Sequence, residues 1–205
     1  LAQIGWDDLQ KQLEERRANG EMVGSGISMF FEKSGLGPSD GAKIFIDNTG
    51  FIEVVTGGAS IGQGFETAMA QIAAEDLGTD YRRIRVVHGQ TNRIDYGVGA
   101  HASRATVLTG TAVSLTAQAV RAKALDMAAE LMQTTAESLT ITDGAVHSKN
   151  NPTGPSLTLG EIAEALLPTS KIRGDREPYL KGEEWFHIDH QTYPYGHHIA
   201  VVKVD

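Results

Sequence analysis

FIEVVTGGASIGQGFETAMAQIAAEDL, residues 51–77, sets out a β-like run, a glycine-rich turn and an amphipathic helix, in that order. Residues 51–55 are apolar and β-branched, which favours a buried strand. Four glycines within eight residues, Gly57, Gly58, Gly62 and Gly64, then let the backbone turn sharply. From Phe65 the apolar residues Phe65, Ala68, Met69, Ile72, Ala73 and Leu77 fall at offsets 0, 3, 4, 7, 8 and 12, one stripe of a helix, and Gly78 follows as its C-cap. A helix N-terminus thus faces a flexible turn. Its exposed backbone N–H groups and its dipole suit an anion, phosphate above all, and Gln63 can both donate and accept hydrogen bonds there.

The common nucleotide motifs do not fit this turn. Read from Gly62, the pattern G-x-G-x-x-G meets Thr67 where the last glycine belongs, and the phosphate-loop pattern meets Gln63 where lysine belongs. Geometry alone leaves a purely structural β–turn–α corner as strong a reading as an anion site, because such corners recur throughout α/β folds.

Upstream, residues 6–17 form a charged surface helix, and residues 22–33 a strand loosened by Gly24 and Gly26. Residues 34–41 read as a polar loop. Residues 42–47 pair with the strand from Phe51 through the hairpin turn Asp47-Asn48-Thr49-Gly50. Downstream, residues 83–88 are strand-like, so strand, helix and strand make a βαβ crossover with a parallel pair. Residues 89–102 are a glycine-rich loop of functional length. Residues 103 to about 133 predict a long helix kinked near Gly110, with Val113, Ala117, Val120, Ala124, Met127 and Leu131 as a narrow, closely packed seam. At its start Ala102, Ser103, Arg104, Ala105 and Thr106 put two hydroxyls, a guanidinium and free N–H groups together, a second phosphate site in prospect. Ser103 as an ordinary N-cap beside a solvated Arg104 fits the spacing equally well. Residues 138–142 and 145–148 form a hairpin across Asp143-Gly144. Residues 150–156 are a loop with two prolines, residues 157–167 a short helix, and residues 184–187 and 198–204 the closing strands.

Composition narrows the function classes. The 205 residues suffice for one large or two small domains, and they carry no repeat and no apolar run long enough to span a membrane. The formal charge is −8, without the basic strip that tracks a nucleic-acid backbone, so neither nucleic acid nor membrane is expected as a partner. No cysteine is present, so this chain alone holds no iron–sulfur cluster and no thiolate-bound metal. His187, His190, His197 and His198 match no catalytic metal template, and adjacent His197 and His198 on a strand point to opposite faces. The acid pairs Glu75-Asp76 and Glu183-Glu184 read as solvated surface. The chain begins without methionine or a signal sequence and stops inside a β-like run, which leads us to expect a cytoplasmic protein and a piece of a longer polypeptide.

Three separated stretches then carry a resemblance: GGASIGQGFETAMAQIAAEDLG (57–78), RIRVVHGQTNRIDYGVGAHASRAT (83–106) and YPYGHHIAVVKVD (193–205). In order and spacing they resemble the large molybdopterin-binding subunit of the xanthine dehydrogenase, aldehyde oxidase and carbon monoxide dehydrogenase family, over roughly residues 24–205. The resemblance implies an α+β fold with mixed sheets, a βαβ crossover and a long core helix. It makes residues 1–205 a fragment of the molybdopterin-binding domain, divided into subdomains at about 22–148 and 149–205. It implies that Gly62, Gln63 and Gly64 contact the molybdopterin, and that Ala102, Ser103, Arg104 and Thr106 hold its phosphates or dinucleotide tail, with the cytosine dinucleotide as the expected form. Ala105 departs from the serine that relatives often carry. The implied activity is that of a molybdenum-dependent oxidoreductase, hydroxylation of a small-molecule substrate at carbon with oxygen from water. Electrons would leave through iron–sulfur clusters to FAD on companion subunits or domains, and a glutamate would act as general base. That glutamate belongs to a motif absent from this chain, as is the family's upstream glycine-rich loop, so the segment is expected to be inactive alone, completed by the remainder of the large subunit. A non-catalytic binding or scaffold module that kept the fold and lost the cofactor is the alternative. A nicotinamide-binding domain is disfavoured by its glycine spacing.

Overall fold

A computed structural model describes residues 2–205, which form two compact units, residues 2–33 with Tyr193–Asp205, and Ser34–Thr192. In the first, helix α1 (Trp6–Ala18) has Asp7 and Asp8 in its first turn and Arg16 and Arg17 in its last, the charge order that complements a helix dipole. It lies on strand β1 (Met22–Phe31), where Gln10 Nε2 donates to Ser25 Oγ at 2.9 Å. The last strand of the chain, Tyr195–Val204, pairs with β1 antiparallel along its whole length, from Met22 opposite Val204 to Phe31 opposite Tyr195.

The second unit is built on strands β2 (Ser39–Ile46), β3 (Ile52–Thr56), β4 (Ile84–Val87) and a later strand, Leu180–His187. β2 and β3 form the hairpin read from the sequence, its turn tied by the Asp47 carboxylate to the Thr49 and Phe51 N–H groups. β3 and β4 run parallel, joined by helix α2 (Phe65–Leu77), whose ends fall at Gly64 and Gly78, both left-handed. Alternation decides which face is buried: Ala42, Ile44 and Ile46 of β2 and Ile52 and Val54 of β3 turn to the core, where they meet Phe65, Met69, Ala73 and Leu77 of α2.

Helix α3 (Thr111–Leu131) closes this core with Val113, Ala117, Val120, Ala124 and Met127, all fully buried, the seam that the four-and-three spacing marks out. Each such side chain larger than alanine stabilises the unit by about 1.5–3 kcal/mol. The kink expected near Gly110 is a π-helical turn, Ala105–Gly110, that leads into α3. α2 and α3 are also joined by Asp76, which accepts from Ser114 Oγ at 2.6 Å and Gln118 Nε2 at 3.1 Å, so this acid is a tie between helices rather than solvated surface.

Beyond α3, strands β5 (Leu139–Thr142), β6 (Ala145–Ser148) and β7 (Asn151–Thr158) form a three-stranded antiparallel sheet, followed by helix α4 (Leu159–Ala165) and by β8 (Leu180–His187). Residues 151–156 are therefore strand and not loop. β7 is an edge strand paired only with β6, where Pro152 and Pro155 cost no obligatory ladder bond. α4 opens with a capping box: Glu161 N donates to Thr158 Oγ1, and the Glu161 carboxylate accepts from Thr158 N. β8 pairs with β2, and β9 (Tyr195–Val204) with β1, so the two closing strands enter different sheets. The compact units divide after Lys33 and after Thr192, and β8 completes the sheet of β2–β4. No helix of the described residues is long and apolar enough to cross a membrane.

Candidate functional site

Because β3 and β4 are parallel neighbours, the segments that follow them leave the same edge of the sheet, where ligands collect in α/β folds. After β3, Gly57 and Gly58 are buried, and the chain surfaces at Ile61–Gly64. Gly62 (φ +94°) and Gly64 (φ +75°) take left-handed conformations, and a Cβ at either would meet nothing within 4 Å. The turn is thus open toward solvent at the start of α2, which has no side-chain N-cap, so its first-turn N–H groups are not used up by one. Gln63 folds over the turn: its Oε1 accepts from Ile61 N at 2.6 Å and its Nε2 donates to Ala59 O at 3.0 Å. One amide hydrogen and one lone pair remain for a ligand.

Glu66, in the first turn of α2, is held from two sides. Its Oε2 accepts from Ser60 Oγ at 2.9 Å, and its Oε1 lies 2.8 Å from Nε2 of His88, the first residue past β4. The hydrogen bond with His88, ahead of its own backbone N–H and Ser60, holds the Glu66 carboxyl below the usual carboxylate range. The His88 ring also stands edge-on to Phe65, centroids 5.5 Å apart.

The loop after β4 crosses the opposite face of the sheet, where Ile94 packs with Val55 and Val87, and Tyr96 lies 6.1 Å from the Trp185 ring. There it meets the glycine turn backbone to backbone. A Cβ on Gly97 would lie 2.8 Å from Gly57 Cα, and one on Gly57 would lie 2.8 Å from Gly97 Cα. No side chain fits between the two segments.

The loop ends on Ala102 (φ 46°) and Ser103 (φ 48°), two successive left-handed residues that are not glycine. Each such residue costs about 1–2 kcal/mol and persists only where its surroundings fix it. Ser103 is therefore no ordinary N-cap. Gly35 N donates to Ala102 O at 3.0 Å, and Arg104 N donates to His101 O at 3.1 Å across the two residues. The Arg104 side chain is fully buried: Nε donates to Leu36 O, Nη1 to Asp40 Oδ2 and Gly99 O, and Nη2 to Ser39 O, all at 2.9–3.1 Å. Asp40 Oδ2 also accepts from Thr109 Oγ1 at 2.5 Å, and Oδ1 from Gly41 N. Thr106 and Ser103 are exposed and Ala102 half-buried, so the hydroxyls of this segment face outward while its guanidinium faces inward.

Asp40 thus stands between the two segments, with Oδ1 beside Gly57 and Oδ2 on Arg104 and Thr109. Sequence reading missed it by placing residues 34–41 in a loop. The available signal is its phase: Asp40 lies two residues before Ala42, on the buried face of β2, where a charge requires a partner. Ser60, Glu66 and His88 carry no spacing signal, since a β-strand end and a helix start bring them together.

Elsewhere, a cleft of about 650 Å³ is lined by Lys43, Glu53, Arg93, Lys123, Glu177 and Lys181 among others. Lys43 pairs with Glu183, Arg93 with Glu53, and Lys123 and Lys181 with Glu177, and with Glu184 also in the lining four cations face four carboxylates, so it presents no excess of either sign to a ligand. His190 pairs with Asp189, and the described residues contain no group of three or more metal-ligating side chains.

The family model for the molybdopterin cofactor-binding domain matches residues 1–205. The chain is 36% identical over 200 residues to the 6-hydroxypseudooxynicotine dehydrogenase complex subunit gamma of Paenarthrobacter nicotinovorans, covering 98% of this chain and 25% of that protein. Among solved structures it is similar to reconstituted CO dehydrogenase from Oligotropha carboxidovorans (TM-score 0.83, 30% identity) and to quinoline 2-oxidoreductase from Pseudomonas putida 86 (TM-score 0.80, 29% identity). Both cover 100% of this chain and 27% of theirs, so the chain spans about a quarter of the length of the relatives it matches.

Proposed function

The chain belongs to the molybdopterin cofactor-binding domain family, as part of a large subunit of the xanthine dehydrogenase, aldehyde oxidase and carbon monoxide dehydrogenase type, and on that premise we propose that its two outward-facing segments, Gly62–Gln63–Gly64 and Ala102–Thr106, hold the cofactor in the complete enzyme. The observation that carries this reading is the junction at Gly57 and Gly97, where the segments following two adjacent parallel strands touch without side chains between them. A ligand spanning both segments would find them already fixed relative to each other. The open left-handed turn at an uncapped helix start supports the fit, since it offers backbone N–H groups to an anionic group.

In this reading Gly62 and Gly64 let the backbone approach the cofactor, Gln63 offers its remaining amide hydrogen, and the Ser103 and Thr106 hydroxyls meet the phosphates of a cytosine dinucleotide tail. Arg104 acts from inside, its guanidinium spent on Asp40 and three carbonyls, so it shapes the Ala102–Ser103 backbone rather than reaching a phosphate. The bound molybdenum cofactor would supply the oxidative chemistry at substrate carbon, with the general base in the remainder of the subunit and the iron–sulfur and FAD centres on companion subunits or domains. In this reading the protein works in the cytoplasm, and the 205 residues by themselves would have no turnover.

The relatives' names point to different substrates, 6-hydroxypseudooxynicotine, quinoline and carbon monoxide, while they share this segment. That supports a role in holding what the enzymes have in common. The test is Gly62→Val in the full-length protein. Loss of most of the molybdenum from a variant that still folds, its melting temperature lowered only by the left-handed backbone at Gly62, is expected, and a normally loaded variant contradicts the assignment.

A further inference from the structure

Strands β1 and β9 make a two-stranded ribbon about 30 Å long, and α1 lies on one face of it, bonded to Ser25. The other face belongs to the residues in phase with Met22. Met22, Val202 and Val204 stand at one end of it and Phe30 toward the other, all exposed, and Gly26 lies opposite Ala200 between them. None of the residues on this face is Asp, Glu, Lys or Arg, in a chain of which 21% is charged. Gly26 sharpens the point. Glycine inside a strand weakens it, and marks a bulge, a left-handed residue or the close approach of another segment. The register runs unbroken from Met22 to Phe31, so there is no bulge. Gly26 is not left-handed, and a Cβ on it would meet nothing within 4 Å. Nothing within these residues requires glycine there.

We propose that this face is a permanent interface, covered in the complete protein by another part of the same large-subunit polypeptide: an uncharged strand or helix whose large apolar side chains fill the furrow over Gly26 and Ala200. A two-stranded ribbon is marginal by itself, and a long apolar strand left in water is an association hazard, so the face needs a cover. Two observations select this occupant. A face with no charged residue along its whole length suits an interface formed once, since exchangeable interfaces are as polar as ordinary surface. This chain covers only 25–27% of its relatives, whose remaining length is ample to supply the layer. The proposal uses the family membership alone and stands apart from the cofactor assignment.

Peroxide oxidation of Met22, followed by peptide mass spectrometry, tests the cover in the full-length protein with its companion subunits present. Met22 is 61% exposed in these residues alone, so on an open face it oxidises at nearly the rate found in urea. Under a cover it is expected to oxidise at least about tenfold more slowly, and the open-face rate overturns the proposal. A photoreactive benzoylphenylalanine in place of Phe30 identifies the occupant. A cross-link to residues of the same polypeptide outside this segment is expected, whereas a cross-link to a companion subunit or to a second copy overturns the assignment. Gly26→Lys in the full-length protein gives opposite signs for the two cases. On an open strand it leaves the melting temperature unchanged or raises it, which contradicts the proposal. Beneath a cover it is expected to lower it by about 5 °C or more.

Discussion

Arg104 and Asp40 meet in a fully buried ion pair, Nη1 to Oδ2 at 3.1 Å, that links the start of the π-helical turn to the second residue of β2. Four of the five Arg104 N–H donors are bonded, to Asp40 and to the carbonyls of Leu36, Ser39 and Gly99, and Asp40 also accepts from Thr109 and Gly41. A satisfied buried pair is costly to break from one side only.

Arg104→Met leaves the Asp40 carboxylate buried beside only Thr109 and Gly41, and is expected to destabilise the fold by about 3–5 kcal/mol. The double variant Arg104→Met with Asp40→Leu is expected to lose less than the single one. Urea midpoints of the two variants check the order, which reverses if the pair contributes nothing specific.

Gly97→Ala is expected to cost about 1–3 kcal/mol by forcing two backbones apart. Gly62→Ala places a methyl in open space, and its cost of about 1–2 kcal/mol comes from the left-handed backbone alone. Hydrogen exchange tells them apart. Gly97→Ala should speed exchange at both residues 57–58 and residues 96–97, whereas Gly62→Ala should leave residues 96–97 protected.

Several carboxyls titrate below their ordinary values. The Arg82 side chain, with its backbone N–H, holds Asp80 at about 2, and the Thr49 hydroxyl with backbone donors lowers Asp47. Depressed folded-state values mean that these groups contribute fully above their unfolded values and lose the contribution as pH falls through the folded ones. For Asp80 the window runs from 3.8 down to about 2. Asp80→Asn should flatten the fall in melting temperature across that window and lower stability at neutral pH by the same amount, a small one because the group is solvent-screened.

Thr158→Ala removes the hydroxyl that caps α4 and is expected to cost about 1 kcal/mol, read as a lower urea midpoint with an unchanged slope.

Local chemistry made much of this fold legible. Gly64 and Gly78 bracket α2 because left-handed ends need glycine, and Asp47 with Gly50 fixes the β2–β3 hairpin. The α3 seam followed from its spacing. What stayed hidden depends on partners distant in sequence. Pro152 and Pro155 argue for a loop until β7 is known to be an edge. Arg104 looks like a solvated anion ligand until Asp40, 64 residues away, is seen to claim it. The positive φ of Ser103 leaves no mark in the sequence.

The central claim is that this segment holds a molybdenum cofactor across the two segments joined at Gly57 and Gly97. The measurement that tests it most directly is molybdenum by mass spectrometry, together with CMP released by acid hydrolysis, on the full-length protein purified from its native host. The account predicts molybdenum and CMP in near-equal amounts, both lost in Gly62→Val. Absence of both from wild-type protein, in cells that make the cofactor, would contradict it and identify the chain as a scaffold that kept the fold alone.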